Sequence, residues 1–327
     1  MLTSEDFILP QGNSAALMPG ASYSIPGLFL FSELVYAALE QVKAKFGYAI
    51  PVKYLYGSPQ VLWNCGRLIF KNYRYSPEDI EKELAGAVEH GMVPLLTFSN
   101  HRLTEEDLTD ADCNFILSVL DRVRGGVIVA SDLLQGYIEK HYPNIEIHGS
   151  VILTAFPEKR DLPYYAGLFR QYSRYVVHPD DNYDFDLLRT LPKERAEIIL
   201  NERCGFQCAQ RREHYESIAQ QQPALIAGHF DGPNFIERCP FVPEVKQRYT
   251  TTRTVSLTTD HAVRLYEMGY DLFKLQGRLD NPYSFFFDFF RYTLEPTVAF
   301  PTIYPIFAYS IRGFVKARDK KRQAERA

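Results

Sequence analysis

Apolar and polar positions follow two rhythms that take turns along this chain. Short apolar runs of strand length are "VKYLYGS" (52–58), "MVPLLTF" (92–98), "GVIVASD" (126–132), "IEIHGSVIL" (145–153), "RYVVHPD" (174–180) and "AEIILNERC" (196–204). Between them lie segments whose apolar residues recur every three or four positions, the helical period. In "SPEDIEKELAGAVEHG" (76–91), Ser76 predicts the N-cap and Pro77 the first helical position. Glu78 and Asp79 suit the positive end of the helix dipole, and Gly91 the C-terminal turn. "TEEDLTDADCNFILSVLDRV" (104–123) is a further helix, and Asp132 is placed to cap "LLQGYIEKHY". "TTDHAVRLYEMGYDLFKLQGR" (258–278) repeats the unit: cap, helix, glycine stop, then a strand over 271–276.

Strand starts fall near 52, 92, 126, 145, 174, 196 and 270. Strict alternation of β and α elements implies parallel strands with right-handed crossovers. Seven such strands, with an eighth expected between 222 and 257, predict a (β/α)₈ TIM-like barrel over residues 51–280. An open doubly wound sheet is the alternative. Residues 1–50 read as an N-terminal helical extension, with "IPGLFLFSELVYAALEQVKAKFGY" (26–48) as a helix packed outside the barrel. Residues 281–327 read as an aromatic, proline-containing segment with a basic tail, "RGFVKARDKKRQAERA". That segment either closes the barrel or makes a peripheral membrane or protein contact. It is too short and too broken by proline to span a bilayer.

Composition narrows the function classes. Of the 327 residues, 46% are hydrophobic and 23% charged, as in ordinary globular proteins. The net charge of −4 offers no basic field for DNA. No signal-peptide pattern opens the chain, and five cysteines are not a secreted disulfide framework, so a reduced, cytoplasmic setting is expected. The 22 Tyr and 23 Phe, against one Trp, fill a core with rings or line an aromatic pocket. No Gly-x-Gly-x-x-Gly or P-loop pattern opens a helix.

In a parallel barrel the working face lies at the C-terminal ends of the strands. Cys204 and Cys208 end "AEIILNERC" and begin the next loop, Cys239 lies in the following connection, and Cys65 follows the first strand. Cys113 falls inside an apolar helix and reads as core. Cys204, Cys208 and Cys239 at one mouth would suit an iron–sulfur cluster, whose irons take soft anionic sulfur. Arg203, Arg211 and Arg212 would then favour the thiolates. The same sulfurs with His214 or His229 make a Cys₃His zinc site, and unrelated thiols are the third reading. The radical S-adenosylmethionine pattern is excluded, because Arg211 stands where its third cysteine belongs.

Other groups fall on the same face. Lys274 and Arg278, beside Gly277, form an anion pocket for substrate or an internal ion pair with an acid such as Glu202. His148 and His178 end strands and are the candidate general acid and base. Asn201 and Tyr56 are candidate substrate contacts, with Arg67, Asn100 and His101 in the surrounding loops. No protease nucleophile signature is present.

"YEMGYDLFKLQGR" (266–278) resembles the segment ending Phe-Lys-Ile-Glu-Gly-Arg in the collagenase-like proteins of peptidase family U-32. "SLTTDHAVRLYEMG" resembles that family's preceding helix, and "ILNERCGFQCAQRREHY" its strand followed by cysteines. The resemblance implies a TIM-like barrel holding a [4Fe–4S] cluster, with Cys204, Cys208 and Cys239 as ligands. It implies oxygen insertion into RNA bases or a quinone ring, sometimes with prephenate as partner molecule. The chain departs from the family's four-cysteine pattern, so either Cys65 closes the set or one iron stays open. The expectation is an iron–sulfur oxidoreductase or hydroxylase acting on a small molecule or an RNA base. A zinc-stabilised or metal-free binding protein is the alternative, and a peptidase the remotest.

Overall fold

The computed structural model describes residues 15–65, 75–227, 255–277, 282–299 and Arg312. Eight parallel strands close into one barrel in chain order: β1 (Ser22–Pro26), β2 (Val52–Gly57), β3 (Val93–Phe98), β4 (Gly126–Val129), β5 (Glu146–Gly149), β6 (Arg174–Val176), β7 (Ala196–Ile199) and β8 (Leu272–Lys274). The ring is completed where β8 pairs with β1, Ser24 opposite Lys274. Between strands run α1 (Ser32–Phe46), α2 (Pro77–Glu89), α3 (Ala111–Arg122), α4 (Asp132–His141), α5 (Leu162–Gln171) and α6 (Phe185–Thr190). Among the described residues the β7–β8 connection carries α7 (Arg211–Ile226) and α8 (Thr259–Glu267), and α9 (Pro282–Thr293) follows β8. This is the (β/α)₈ barrel that the alternation predicts, and all seven strands read from the pattern form.

The eighth strand lies elsewhere than expected. It is β1, inside the segment assigned to an N-terminal extension; most of 222–257, where a strand was expected, lies outside the described residues. The barrel therefore starts at Ser22, and α1 is its first outer helix. β1 is only five residues long, and its alternate positions Ser22 and Ser24 are polar, which leaves no apolar run to announce a strand. At the other end, α9 is part of the barrel wall. Phe285, Phe286, Phe289 and Phe290 are buried in the main core, and Phe285 meets Phe31 at 5.4 Å between ring centroids. The Tyr23 hydroxyl donates to the Tyr292 carbonyl at 3.1 Å, tying β1 to α9. The aromatic density thus closes the ring, each buried Phe contributing roughly 1.5–3 kcal/mol of transfer free energy. Beyond 299 only Arg312 is described, so the basic tail lies outside the described residues. Among the described residues no helix is long and apolar enough to cross a membrane.

Local signals act as the chain predicts at α2, where Ser76 and Asp79 form a reciprocal capping box. At α4 the cap is Ser131, whose hydroxyl accepts from the Leu134 amide, and Asp132 sits in the first turn. Along each strand alternate residues face opposite ways. Leu55, Leu96, Val127, Ile198 and Phe273 join the helices in the main core. Their neighbours Tyr54, Leu95, Ile128 and Leu272 form a separate cluster inside the barrel. Bulky branched side chains usually fill such an interior. Here Ser24, His148, Glu197 and Lys274 are buried beside that cluster.

Gly57 ends β2 against the β1–α1 loop, where an added Cβ would lie 2.2 Å from the Leu28 carbonyl oxygen. Gly57→Ala must push backbone from backbone, and should cost about 1–3 kcal/mol, read as a lower urea midpoint with an unchanged slope.

Candidate functional site at the barrel mouth

The C-terminal strand ends surround a cavity of about 140 Å³. Tyr56, Thr97, Ser99, Ile128, Ser150, Val176, Ile199, Lys274 and Gln276 line it from the barrel and its loops. His214, Tyr215 and Ile218 line it from α7. α7 therefore lies over the mouth, leaving α8 as the outer crossover helix. Ile218 and Ala219 pack with Cys65, Ala130 and Ile152. Glu216 takes a 2.8 Å ion pair from Arg102 and lies 3.5 Å from His101. Gln222 donates to the Val61 carbonyl at 2.9 Å, and Gln60 to that of Leu225 at 3.1 Å. The loops after β2 and β3 thus hold α7 down as a cover.

Lys274 lines the cavity with its Nζ 3.0 Å from Glu197 Oε2 and 4.7 Å from the centre of the Tyr56 ring. The internal acid is thus Glu197, not Glu202. Burial pushes the Glu197 carboxyl up, but Lys274, the Ser24 hydroxyl and His148 outweigh it and hold the group below the usual range. Tyr56 donates its hydroxyl to the Leu275 carbonyl at 2.7 Å, which turns its ring to the cavity. Arg278 lies outside the described residues, as do Arg67, His229 and Cys239.

Asn201 does not line the cavity. Its amide donates to the Gln276 carbonyl at 2.8 Å and to Asp288 at 2.9 Å, and its oxygen accepts from the Gln276 amide at 2.6 Å. It pins the ends of β7 and β8 to α9. Asn100 likewise holds the loop after β2, donating to the Leu62 carbonyl at 3.1 Å. His148 lies within the barrel, against Glu146 at 3.2 Å, and does not line the cavity either.

His178 works on the cysteine loop. Its Nε2 is 2.8 Å from Arg211 Nη1. A guanidinium only donates, so Nε2 accepts, while Nδ1 lies 3.2 Å from the Asp180 backbone amide and 3.5 Å from its carboxylate. Burial, then Arg211 and Arg160, push His178 down to about 2. Arg211 in turn donates to the Gly205 carbonyl at 3.0 Å, and Asp180 accepts from the Gln207 amide at 3.0 Å. Gln207 sits at φ 51°, so the loop 204–208 turns through a left-handed residue. Glu202 accepts from the Cys204 amide at 3.0 Å and from the Gln276 side chain at 2.6 Å, bridging the cysteine loop to the cavity wall.

The thiols are free and half-buried. Burial pushes Cys204 up to about 11 against the opposing pull of Arg211, with Glu202 and Cys208 adding to the rise. Arg203 instead faces Asp288 at 3.8 Å, and Arg212 lies over the Phe156 ring at 5.3 Å. The three arginines expected to ionise the thiols thus reduce to Arg211, and it does not prevail. Cys65 is buried at the cavity, its sulfur 4.0 Å from the Tyr215 carbonyl, and burial pushes it up to about 12. Cys113 is buried core in α3. Among the described residues no three of His, Cys, Asp and Glu are placed to hold a metal ion. Cys65 and His214 therefore do not complete a set with Cys204 and Cys208. Any further ligand beside Cys204 and Cys208 would have to come from outside the described residues.

Sequence reasoning missed Glu197, Gln276 and the cover helix, and gave Glu202 as an ion-pair partner where the structure makes it a bridge. The acid inside the apolar run "AEIIL" was the one visible signal, because a buried carboxylate demands a partner.

No family model matches the chain, and no curated protein matches it. Its fold is similar to the structure of the U32 peptidase Mk0906, with a TM-score of 0.50 at 14% identity, covering 83% of this chain and 97% of that one. An α-amylase from Lactobacillus plantarum aligns with a TM-score of 0.32 at 13% identity, over 56% of this chain and 62% of that one. At these identities the likeness concerns the fold: a U32-like TIM barrel.

His178 also sets a pH dependence. An unfolded histidine takes up a proton near its ordinary 6.5, and the folded ring refuses it until about 2. The unfolded state thus binds more protons below 6.5, and stability falls with pH there by up to about 1.4 kcal/mol per unit. Urea midpoints between pH 6.5 and about 5 should fall less steeply in His178→Gln, while His101 and His261, also pushed down by burial, act alike in both proteins.

Proposed function

We propose that this barrel is an enzyme of oxidoreductase type that modifies a small organic substrate in the covered mouth, using an iron–sulfur cluster. The observation that carries the reading is the Glu202 bridge, which joins the Cys204 loop to Gln276 on the cavity wall. Cys204, Cys208 and Cys239 would hold a [4Fe–4S] cluster, which supplies electron transfer when fully ligated and a redox-active Lewis acid when one iron is open.

The chain's own residues do the rest. A cavity of about 140 Å³ is close to the size that admits one benzene ring. That suits a single-ring compound or one RNA base drawn out of its stack. Ile128, Val176 and Ile199 face the ring's carbon skeleton, while Ser99, Ser150 and Gln276 offer hydrogen bonds at its edges. Lys274, already balanced by Glu197, donates to a substrate oxygen without carrying an uncompensated charge. α7 roofs one side of the cavity, and the lower local dielectric there strengthens each of these contacts.

The raised Cys204 thiol and the lack of a third donor among the described residues favour a second reading, a binding protein with zinc or no metal. Metal analysis of anaerobically purified protein separates the two. The first reading expects iron and acid-labile sulfide near about four each per chain, both lost in Cys204→Ala. Zinc at about one per chain supports the second, and no metal removes the redox proposal.

A further inference from the structure

A reaction chamber needs a group that gives and takes protons near neutral pH, and the wall of this cavity offers few. Tyr56 spends its hydroxyl on the Leu275 carbonyl at 2.7 Å. Burial pushes the Cys65 thiol up to about 12. Lys274 is paired with Glu197 at 3.0 Å. The serine and threonine hydroxyls and the Gln276 amide hydrogen-bond without changing charge. The two histidines expected to handle protons stand elsewhere, His148 inside the barrel and His178 against Arg211 at the cysteine loop. Among the described residues the histidine that lines the cavity is His214, in the first turn of α7.

Two anchors turn this face of α7 inward. Residues three or four apart on a helix share a face, and Arg211, His214 and Ile218 are so spaced. Arg211 is buried and donates to the Gly205 carbonyl at 3.0 Å. Ile218 packs with Cys65, Ala130 and Ile152. His214 lies between these anchors and borders the cavity from above, while Lys274 borders it from the end of β8 below. An imidazole ordinarily changes charge near neutral pH, which suits a general acid or base.

We propose that His214 is the general acid–base of the mouth. Its neutral ring nitrogen takes a proton from an O–H or N–H of the substrate, and the Lys274 ammonium holds the anion that forms. An ammonium has three donors, so the bond to Glu197 leaves others for that anion. Each transfer makes one N–H bond as it breaks one O–H or N–H bond, the return runs in reverse, and no electrons leave the substrate. The titratable groups that share the cavity with His214 are Tyr56 and Cys65 from β2 and the loop after it, Lys274 from β8, and Tyr215 beside it. Arg211 lies one turn earlier on α7, and the Arg102–Glu216 pair stands at the edge of the cover. The assignment rests on the reading of the mouth as a substrate chamber and names the residue that moves its proton.

The test needs neither natural substrate nor cluster. Its probe is 4-nitrophenol, a single-ring compound whose phenol and phenolate differ in colour, and the open side of the cavity leaves room for its nitro group. Binding to the full-length chain would be followed by the visible spectrum, at a pH where the free probe is mostly phenol. The bound probe should be phenolate, its proton passed to His214. His214→Gln hydrogen-bonds without titrating, so it should bind the probe but hold about tenfold less of it as phenolate at the same pH. An equal phenolate fraction in the two proteins overturns the proposal and leaves the chamber reading standing, because the probe still binds. Failure of the probe to bind the native chain overturns the chamber reading and the proposal with it. Should His214→Gln disturb the fold, NMR of the histidine rings in the native chain decides. By linkage the bound phenolate must raise the proton affinity of the His214 ring about tenfold, and an unchanged affinity overturns the proposal.

Discussion

The contact on which the rest depends is the buried pair of Glu197 and Lys274. β8 lies between β7 and β1, and this pair with Ser24 ties all three strands from inside the barrel. Each partner makes the other tolerable. Removing one from such a site leaves an unpaired charge, at a cost of about 3–5 kcal/mol. The strands it joins are short, β8 having three residues and β7 four, so backbone pairing at the seam is thin. α9 reinforces the seam from outside with its phenylalanines and with Tyr292, whose hydroxyl donates to the Leu200 carbonyl at 3.2 Å.

That seam also builds the site. The chain leaves β7 into the cysteine loop and leaves β8 beside Gln276, and Asn201 and Glu202 lace the two exits together. Lys274 is at once the closing cation and a charged group lining the cavity. Below it the interior departs from an apolar fill and becomes a graded stack of acid, imidazole, acid and amine. Rigidity and chemistry thus share the same side chains.

How much of this could be read in advance follows from what each residue touches. Seven strands were legible because both faces of a parallel strand are buried, so they appear as apolar runs. β1 was not, because Ser24 faces Glu197, a partner 173 residues away. Cys204 and Cys208 were placed on the C-terminal face because they follow β7; they lie in the loop after that strand and do not line the cavity. The work of His178 was hidden because Arg211 is 33 residues distant. Asn201 and Lys274 were singled out as substrate contacts at strand ends; Asn201 instead pins the strand ends to α9, and the partners Asp288 and Glu197 are contacts only the folded barrel makes. α7 gave no helical signal because it has no single apolar face: it touches polar loops, the cavity and a small apolar cluster on different sides.

α7 begins three residues after Cys208, with no strand between them. The cover and the thiol pair are consecutive stretches of one crossover, and Arg211, the first residue of α7, is the one that grips the cysteine loop. The thiol pair and the roof of the cavity therefore share one short length of backbone, with Arg211 as the joint between them.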